Sequence, residues 1–181
     1  MSDQEQEKVE ERRKRETDVV QTPISEGYLL IDSGKCAGCQ VCMIACSLVH
    51  EGAANTQLAR IQVIQDTYKP WPDCIQVKQC HQCPLPACVD ACPTQACFID
   101  TANGNVRTID QSKCIGCESC LLACPYEPGG IVWDSQNLKA TKCDLCANAP
   151  FFGQEGGPSG KQACVIYCPQ QAIKFSKDIP V

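Results

Sequence analysis

The sequence predicts an α+β fold of short strands, short helices and long loops. Three observations predict it. Cysteine supplies 18 of the 181 residues, and sixteen of those cysteines fall into four quartets, each ending in a Cys-x-x-x-Cys step. Brief β-forming runs alternate with the cysteine loops. Aromatic residues make up only 6% of the chain, which leaves a conventional core thin.

The elements follow in order from Tyr28. Tyr28–Leu29–Leu30–Ile31 reads as a strand leading into the first quartet, Cys36, Cys39, Cys42 and Cys46. Arg60–Ile64 and Ile75–Val77 read as strands before the second, Cys80, Cys83, Cys88 and Cys92. Cys97–Ile99 and Val106–Ile109 flank Asn103–Gly104, a hairpin turn signal. The third quartet is Cys114, Cys117, Cys120 and Cys124. Ile131–Trp133 and Leu138–Thr141 then flank a polar turn. The fourth quartet is Cys143, Cys146, Cys164 and Cys168, and Ala172–Phe175 reads as a closing strand. Lys113–Cys114–Ile115–Gly116–Cys117 repeats the logic of Lys35–Cys36–Ala37–Gly38–Cys39, so the chain carries an internal repeat. It divides into a polar extension over 1–27 and a cysteine-rich domain over 28–181.

The spacing carries chemistry. Cys-x-x-Cys-x-x-Cys offers three thiolates from one tight loop, enough for three iron corners of one cube, and Cys-x2-Cys-x2-Cys-x3-Cys-Pro is the bacterial iron–sulfur run. Gly38 and Gly116 precede the second cysteine of their runs, where a turn closed to other residues would aim amides at sulfur. Gln82 and Leu145 hold that position in the other runs, so glycine helps there and is not required. Cysteines four apart lie on one helix face, roughly 6 Å apart along the axis. One helical turn can therefore serve two neighbouring clusters. Pro93, Pro125 and Pro169 stop that turn. Ser47 stands where the first run lacks proline, which predicts a longer helix through about His50.

Composition narrows the function. The formal charge is −5, and thiolate-held clusters add negative charge, so nucleic acid is excluded and a protein partner fits. No segment is long and apolar enough to span a bilayer. Arg12–Arg13 is followed by Glu16, Thr17 and Asp18 rather than an apolar region, which argues against an export signal. A reduced, cytoplasmic setting is expected. No nucleophile triad, nucleotide loop or acid–base pair is present, so the chain is not expected to be catalytic alone. Metal–thiolate bonds are expected to supply folding energy, leaving the apo chain largely unfolded.

Some residues keep two readings. Cys74 and Cys97 stand outside the quartets as small buried hydrophobes, with a spare ligand as the alternative. His81 reads as a surface imidazole, and otherwise as a donor to sulfur. His50 has no histidine partner nearby in sequence. Lys35, Lys113 and Lys142 each precede a first cysteine, and Lys78 lies two before Cys80. They either offset cluster charge or sit in exposed loops. Disulfides are another use for so many cysteines, but the metal-type spacing argues against them. The seventeen residues between Cys146 and Cys164 make the fourth run the one that resembles a zinc site. A zinc-binding interaction protein is therefore the alternative from another class.

These runs, in this order, resemble the four-cluster ferredoxin-type electron-transfer subunits of the dimethyl sulfoxide reductase iron–sulfur family, over about residues 28–176. The resemblance implies four [4Fe–4S] clusters and a pairing. Cys36, Cys39 and Cys42 would share a cluster with Cys168, and Cys143, Cys146 and Cys164 with Cys46. Cys80, Cys83 and Cys88 would join Cys124, and Cys114, Cys117 and Cys120 would join Cys92. Two interleaved two-cluster units would result, the outer from runs 36–46 and 143–168, the inner from runs 80–92 and 114–124. The family often has proline just before the ligand that Cys164 matches. Gln162–Ala163 stand there in this chain. Cys46–Gly52, followed by Leu58–Ala59–Arg60–Ile61, is more specifically similar to subunits that accompany tungsten enzymes of the aldehyde:ferredoxin oxidoreductase family, such as class II benzoyl-coenzyme A reductase. The implied role is single-electron relay to or from a tungsten-pterin catalytic subunit, with a further redox protein as donor or acceptor. A molybdopterin respiratory oxidoreductase is the alternative partner.

Overall fold

A computed structural model describes residues 22–179. The charged stretch through residue 18, with Arg12–Arg13, lies outside the described residues. Eight four-residue strands form four antiparallel two-stranded sheets. β1 (Tyr28–Ile31) pairs with β8 (Ile173–Ser176), β2 (Gln62–Gln65) with β3 (Ile75–Lys78), β4 (Cys97–Asp100) with β5 (Val106–Ile109), and β6 (Ile131–Asp134) with β7 (Lys139–Lys142). Three of these are local hairpins. The fourth closes the chain on itself, with Tyr28 opposite Ser176 and Ile31 opposite Ile173.

Four helices carry the cysteine steps. α1 (Val41–Glu51) runs three turns, as the absence of proline after Cys46 predicts, and closes with the Gly52 N–H on the Leu48 carbonyl at 3.0 Å. α2 (Ala87–Asp90), α3 (Ser119–Leu122) and α4 (Ala163–Ile166) are single turns. Each stops before the proline after its quartet, because that ring removes a donor and clashes with the preceding turn. α1 packs on α4, and α2 on α3. The β4–β5 connection is longer than Asn103–Gly104 alone. It is a 3₁₀ turn over Thr101–Asn103, followed by left-handed Gly104 and Asn105.

Thiols pack into the core beside the aliphatic groups. Leu29, Met43, Ile61, Val63, Val106, Leu145 and Ile173 pack in one cluster with Cys42, Cys46, Cys80, Cys143 and Cys164. Residues 22–27 join this body. Ser25 is buried, the Glu26 N–H donates to the Gly104 carbonyl at 3.0 Å, and the Pro23 carbonyl accepts from Arg107. No helix among the described residues is long and apolar enough to cross a membrane.

Candidate metal centres

All four runs make the same turn before their second cysteine. Gly38, Gln82, Gly116 and Leu145 have φ of +68°, +50°, +72° and +56°. The left-handed turn is thus universal, and only the residue that makes it varies. A side chain there costs roughly 1–2 kcal/mol, and burial offsets it at both non-glycine positions. Leu145 is fully enclosed in the core. Gln82 donates to the Cys143 carbonyl at 2.8 Å and accepts from the Arg107 N–H at 2.7 Å, tying the second run to the fourth. Gln40 and Glu118, just past the second cysteine, are also left-handed. Pro84 holds that place in the second run and is barred from it.

These turns ring cavities with sulfur. Cys36, Cys39, Cys42 and Cys168 line one, the Cys36 site. Cys80, Cys83, Cys88 and Cys124 line another, the Cys80 site. Cys92, Cys114, Cys117 and Cys120 line a third, the Cys114 site. The remaining quartet, the Cys143 site, is the most enclosed, with Cys46, Cys143, Cys146 and Cys164 all buried. Burial, then the neighbouring Cys164 thiol, Asp144, Cys146 and Cys46, push the Cys143 thiol far up. Burial and the thiols of Cys36, Cys168 and Cys39 push Cys42 up to about 12. Ionised together, the four thiols of one site would repel one another, and bound metal would offset that charge.

Four thiols per site at iron–sulfur spacing are a donor set that fits clusters. All eighteen cysteines are free thiols, so the disulfide reading has no pair behind it. Backbone amides turn toward sulfur, as cluster ligands favour. The Arg60 N–H points at Cys46, that of Cys97 at Cys92 and that of Ala172 at Cys168, each 3.3 Å from the sulfur.

Contacts link the sites in series. Cys164 of the Cys143 site packs in one buried cluster with Cys42 of the Cys36 site. Gln82 joins the Cys143 site to the Cys80 site. Cys88 of the Cys80 site packs against the cluster that holds buried Cys120 of the Cys114 site. Cys39 and Cys117 are the exposed cysteines, one in each outermost site. The loop between Cys146 and Cys164 folds compactly over α1. The Phe151 N–H donates to the Val49 carbonyl, and buried Gln162 donates to the Gly157 carbonyl at 2.9 Å. Gln162 thereby secures the entry to α4 where the resembled family has proline.

The charged group of His50, Asp144 and Arg60 beside sulfur is the feature that sequence spacing missed. His50 Nε2 lies 3.0 Å from Asp144 Oδ1, and its Nδ1 lies 2.8 Å from the Cys46 carbonyl. Both neighbours only accept, so both ring nitrogens carry protons and the ring is cationic. Burial opposes that charge, yet Asp144 and Cys46 hold its pKa up at about 9. Arg60 closes the group at 2.8 Å from Asp144 Oδ2. Burial would raise Asp144, but His50 and Arg60 bring it down to about 2.

The lysines divide. Lys35 and Lys113 sit in exposed loops, paired with Asp32 and Asp110. Lys142 is 2% exposed, and its ammonium donates to Cys88 Sγ at 3.3 Å. Burial would lower its pKa, but the neighbouring sulfurs of Cys80, Cys97 and Cys88 hold it well above the ordinary lysine value. His81 is a surface ring, stacked on Tyr126 at 3.9 Å between centroids. Cys97 is buried, as expected, but also bridges two sites. Its amide donates to Cys92, and its thiol hydrogen bond to Cys88 lowers the Cys88 pKa. Cys74 is half-buried against the core. A surface cleft of about 400 Å³ between the β2–β3 sheet and the β6–β7 turn is lined by no cysteine.

Comparison with known proteins agrees with this geometry. Residues 73–178 match the model of the 4Fe-4S dicluster domain, and residues 33–52 match a 4Fe-4S binding domain. The polyferredoxin-like subunit of the aliphatic sulfonate oxidoreductase of Pyrococcus furiosus is 37% identical over 123 residues, 68% of this chain and 67% of that protein. The thiosulfate reductase electron transfer subunit of Salmonella typhi is 33% identical over 153 residues, 82% of this chain and 74% of that protein. A sulfite dehydrogenase subunit of Allochromatium vinosum is 33% identical over 163 residues, 81% of this chain and 67% of that protein. The chain belongs to the 4Fe-4S dicluster family of iron–sulfur proteins and is an electron-transfer subunit of the kind that serves oxidoreductases.

Proposed function

We propose that the chain relays single electrons through four [4Fe–4S] clusters, one in each four-cysteine site. The observation that carries the reading is the series itself, in which four sulfur-lined sites are linked neighbour to neighbour and exposed cysteine occurs only in the outermost two. Bound clusters supply one-electron chemistry. The protein's part is spacing, enclosure and charge. The outer unit comprises the Cys36 and Cys143 sites on the paired α1 and α4, closed by β1–β8. The inner unit comprises the Cys80 and Cys114 sites on α2 and α3. In this reading electrons enter and leave at the Cys39 and Cys117 ends, one facing a catalytic subunit and the other a further redox protein.

The catalytic partner is a tungsten-pterin enzyme of the aldehyde oxidoreductase type, with class II benzoyl-coenzyme A reductase as one such system. The stretches behind this assignment have a physical role. His50 and Arg60 stand beside the Cys143 site through Asp144, and buried Ser47 accepts the Asn55 N–H at 3.0 Å. A molybdopterin partner is the second reading, favoured by the thiosulfate reductase and sulfite dehydrogenase relatives. Sixteen thiols at cluster spacing are best kept reduced in the cytoplasm, which supports that location.

Anaerobic purification of the native complex tests both levels. About sixteen irons per chain with matching sulfide support four clusters. Zinc with little iron ends the relay reading. Tungsten in the co-purifying subunit supports the first partner, and molybdenum the second. A chain that runs alone and acts only as a free carrier overturns the subunit reading.

A further inference from the structure

The four sites differ in the fixed charge around them. At the Cys36 and Cys114 sites, Lys35 and Lys113 are engaged in exposed pairs with Asp32 and Asp110. At the Cys143 site, Arg60 and His50 share the carboxylate of Asp144. The Cys80 site is different. Both Lys142 and Arg107 line its cavity. Lys142 donates to Cys88 at 3.3 Å. Arg107 is fully buried and donates only to uncharged backbone carbonyls, those of Asn105 at 2.6 Å, Pro23 at 2.8 Å and Pro84 at 3.4 Å. Its Nε has no partner at all. Among the described residues neither cation pairs with a carboxylate.

Two buried cations without a carboxylate form a standing demand for negative charge. Burial keeps water from screening them. The negative charge on offer is that of the thiolates and of whatever they bind. One more electron at this position is therefore stabilised more than at the other three sites, where the cations are exposed or share a buried carboxylate that offsets one of them.

We propose that the centre held by Cys80, Cys83, Cys88 and Cys124 has the highest reduction potential of the four, set by Lys142 and Arg107, and that it is where an electron in transit rests. The inference rests on the four-cluster reading. The step is transfer of one electron from a neighbouring centre, with no bond made or broken and no proton moved at these side chains. Lys142 and Arg107 act as positioning charges.

The test is a potentiometric titration of the anaerobically purified complex followed by electron paramagnetic resonance. Cys124→Ser marks which signal belongs to the Cys80 site. In the native complex that signal is expected to appear first on reduction. Lys142→Met should shift its reduction equilibrium at least tenfold toward the oxidised form, about 59 mV for one electron, and leave the other signals in place. Lys142→Arg should restore it. Lys142→Gln keeps a donor but removes the charge, and should behave as Lys142→Met does if that variant fails to assemble. A full iron count with an unmoved midpoint, or a native titration in which another centre reduces first, overturns the assignment alone. An iron count far below sixteen overturns the four-cluster reading and this inference with it.

Discussion

His50 Nε2 and Asp144 Oδ1 stand 3.0 Å apart across 94 residues of chain, both buried. The pair joins α1, which carries Cys42 and Cys46, to the turn that carries Cys143 and Cys146. Asp144 also accepts the Cys146 N–H at 3.0 Å and the Asn148 N–H at 3.1 Å. One carboxylate thus fixes the shape of the fourth run's turn and anchors the first run to it.

Asp144→Ala is therefore expected to be among the most damaging substitutions outside the cysteines. It leaves the His50 cation, the Arg60 guanidinium and two amides without an acceptor. Breaking a buried pair from one side costs about 3–5 kcal/mol. The expected outcome is much faster bleaching of the visible iron–sulfur absorbance in denaturant. His50→Ala combined with Asp144→Ala should cost clearly less than the sum of the two, because they remove the same interaction. Additive costs would mean that the pair is not coupled.

Gly116 and Gly38 occupy equivalent turns, yet alanine should discriminate between them. Both carry positive φ, so both substitutions incur roughly 1–2 kcal/mol of backbone strain. A Cβ at Gly116 would run into the backbone carbonyl oxygen of Leu138, which cannot yield without moving the β6–β7 turn. A Cβ at Gly38 would meet the Gln65 side-chain amide, the tip of a flexible chain. Gly116→Ala is expected to lose about four irons, the content of one cluster, while Gly38→Ala retains its full complement. Equal iron in the two variants would count against this contrast.

What is legible in the sequence follows from what local chemistry specifies. Proline after Cys92, Cys124 and Cys168, and serine after Cys46, set the helix lengths correctly because the cause lies within one turn. Strand positions agree within two residues. Arg60 is the main difference. It reads as strand, but its amide turns to Cys46 and its guanidinium to Asp144. The charged surroundings are not legible. His50 has no histidine nearby in sequence because its partner is a carboxylate in the fourth run. Lys35, Lys113 and Lys142 share one sequence context, and only the fold buries the third. Gln82 and Leu145 hide the shared left-handed turn, because burial rather than glycine stabilises it there.

Asp134 gives a pH dependence away from the sulfur sites. Its buried carboxylate accepts the N–H groups of Gln136 at 2.9 Å and Asn137 at 3.2 Å, and the Asn137 side-chain amide at 2.7 Å. The bond from the Asn137 side chain is the main cause of a pKa below the ordinary 3.8. The stability it contributes is present above that ordinary value and is lost as pH falls through the lowered one. Pulsed hydrogen exchange at Gln136 and Asn137 should therefore quicken in that acid window beyond the intrinsic trend. Asp134→Ala should remove about 1–3 kcal/mol at neutral pH and abolish the acid step. An unchanged acid step in the variant would assign it to another group.

The last cysteine of each run tests the wiring most directly. Cys46 and Cys42 are one helical turn apart on α1, yet Cys46 lines the Cys143 site and Cys42 the Cys36 site. Cys168 comes from the far end of the chain to complete the Cys36 site. If the pairing holds, Cys168→Ala should disturb the same electron paramagnetic resonance signal as Cys39→Ala. Cys46→Ala should disturb a different one, shared with Cys146→Ala. Each variant should lose at most about four irons, since the other three sites keep their ligands. The exposed Cys36 site tolerates the loss of one thiolate better than the enclosed Cys143 site, where Arg60, His50 and Asp144 would be left beside a vacant corner. Cys46→Ala is accordingly expected to reduce yield and thermal stability more than Cys168→Ala. Were Cys46→Ala and Cys39→Ala to alter one and the same signal, each run would serve a single centre, and the shared-helix wiring would be wrong.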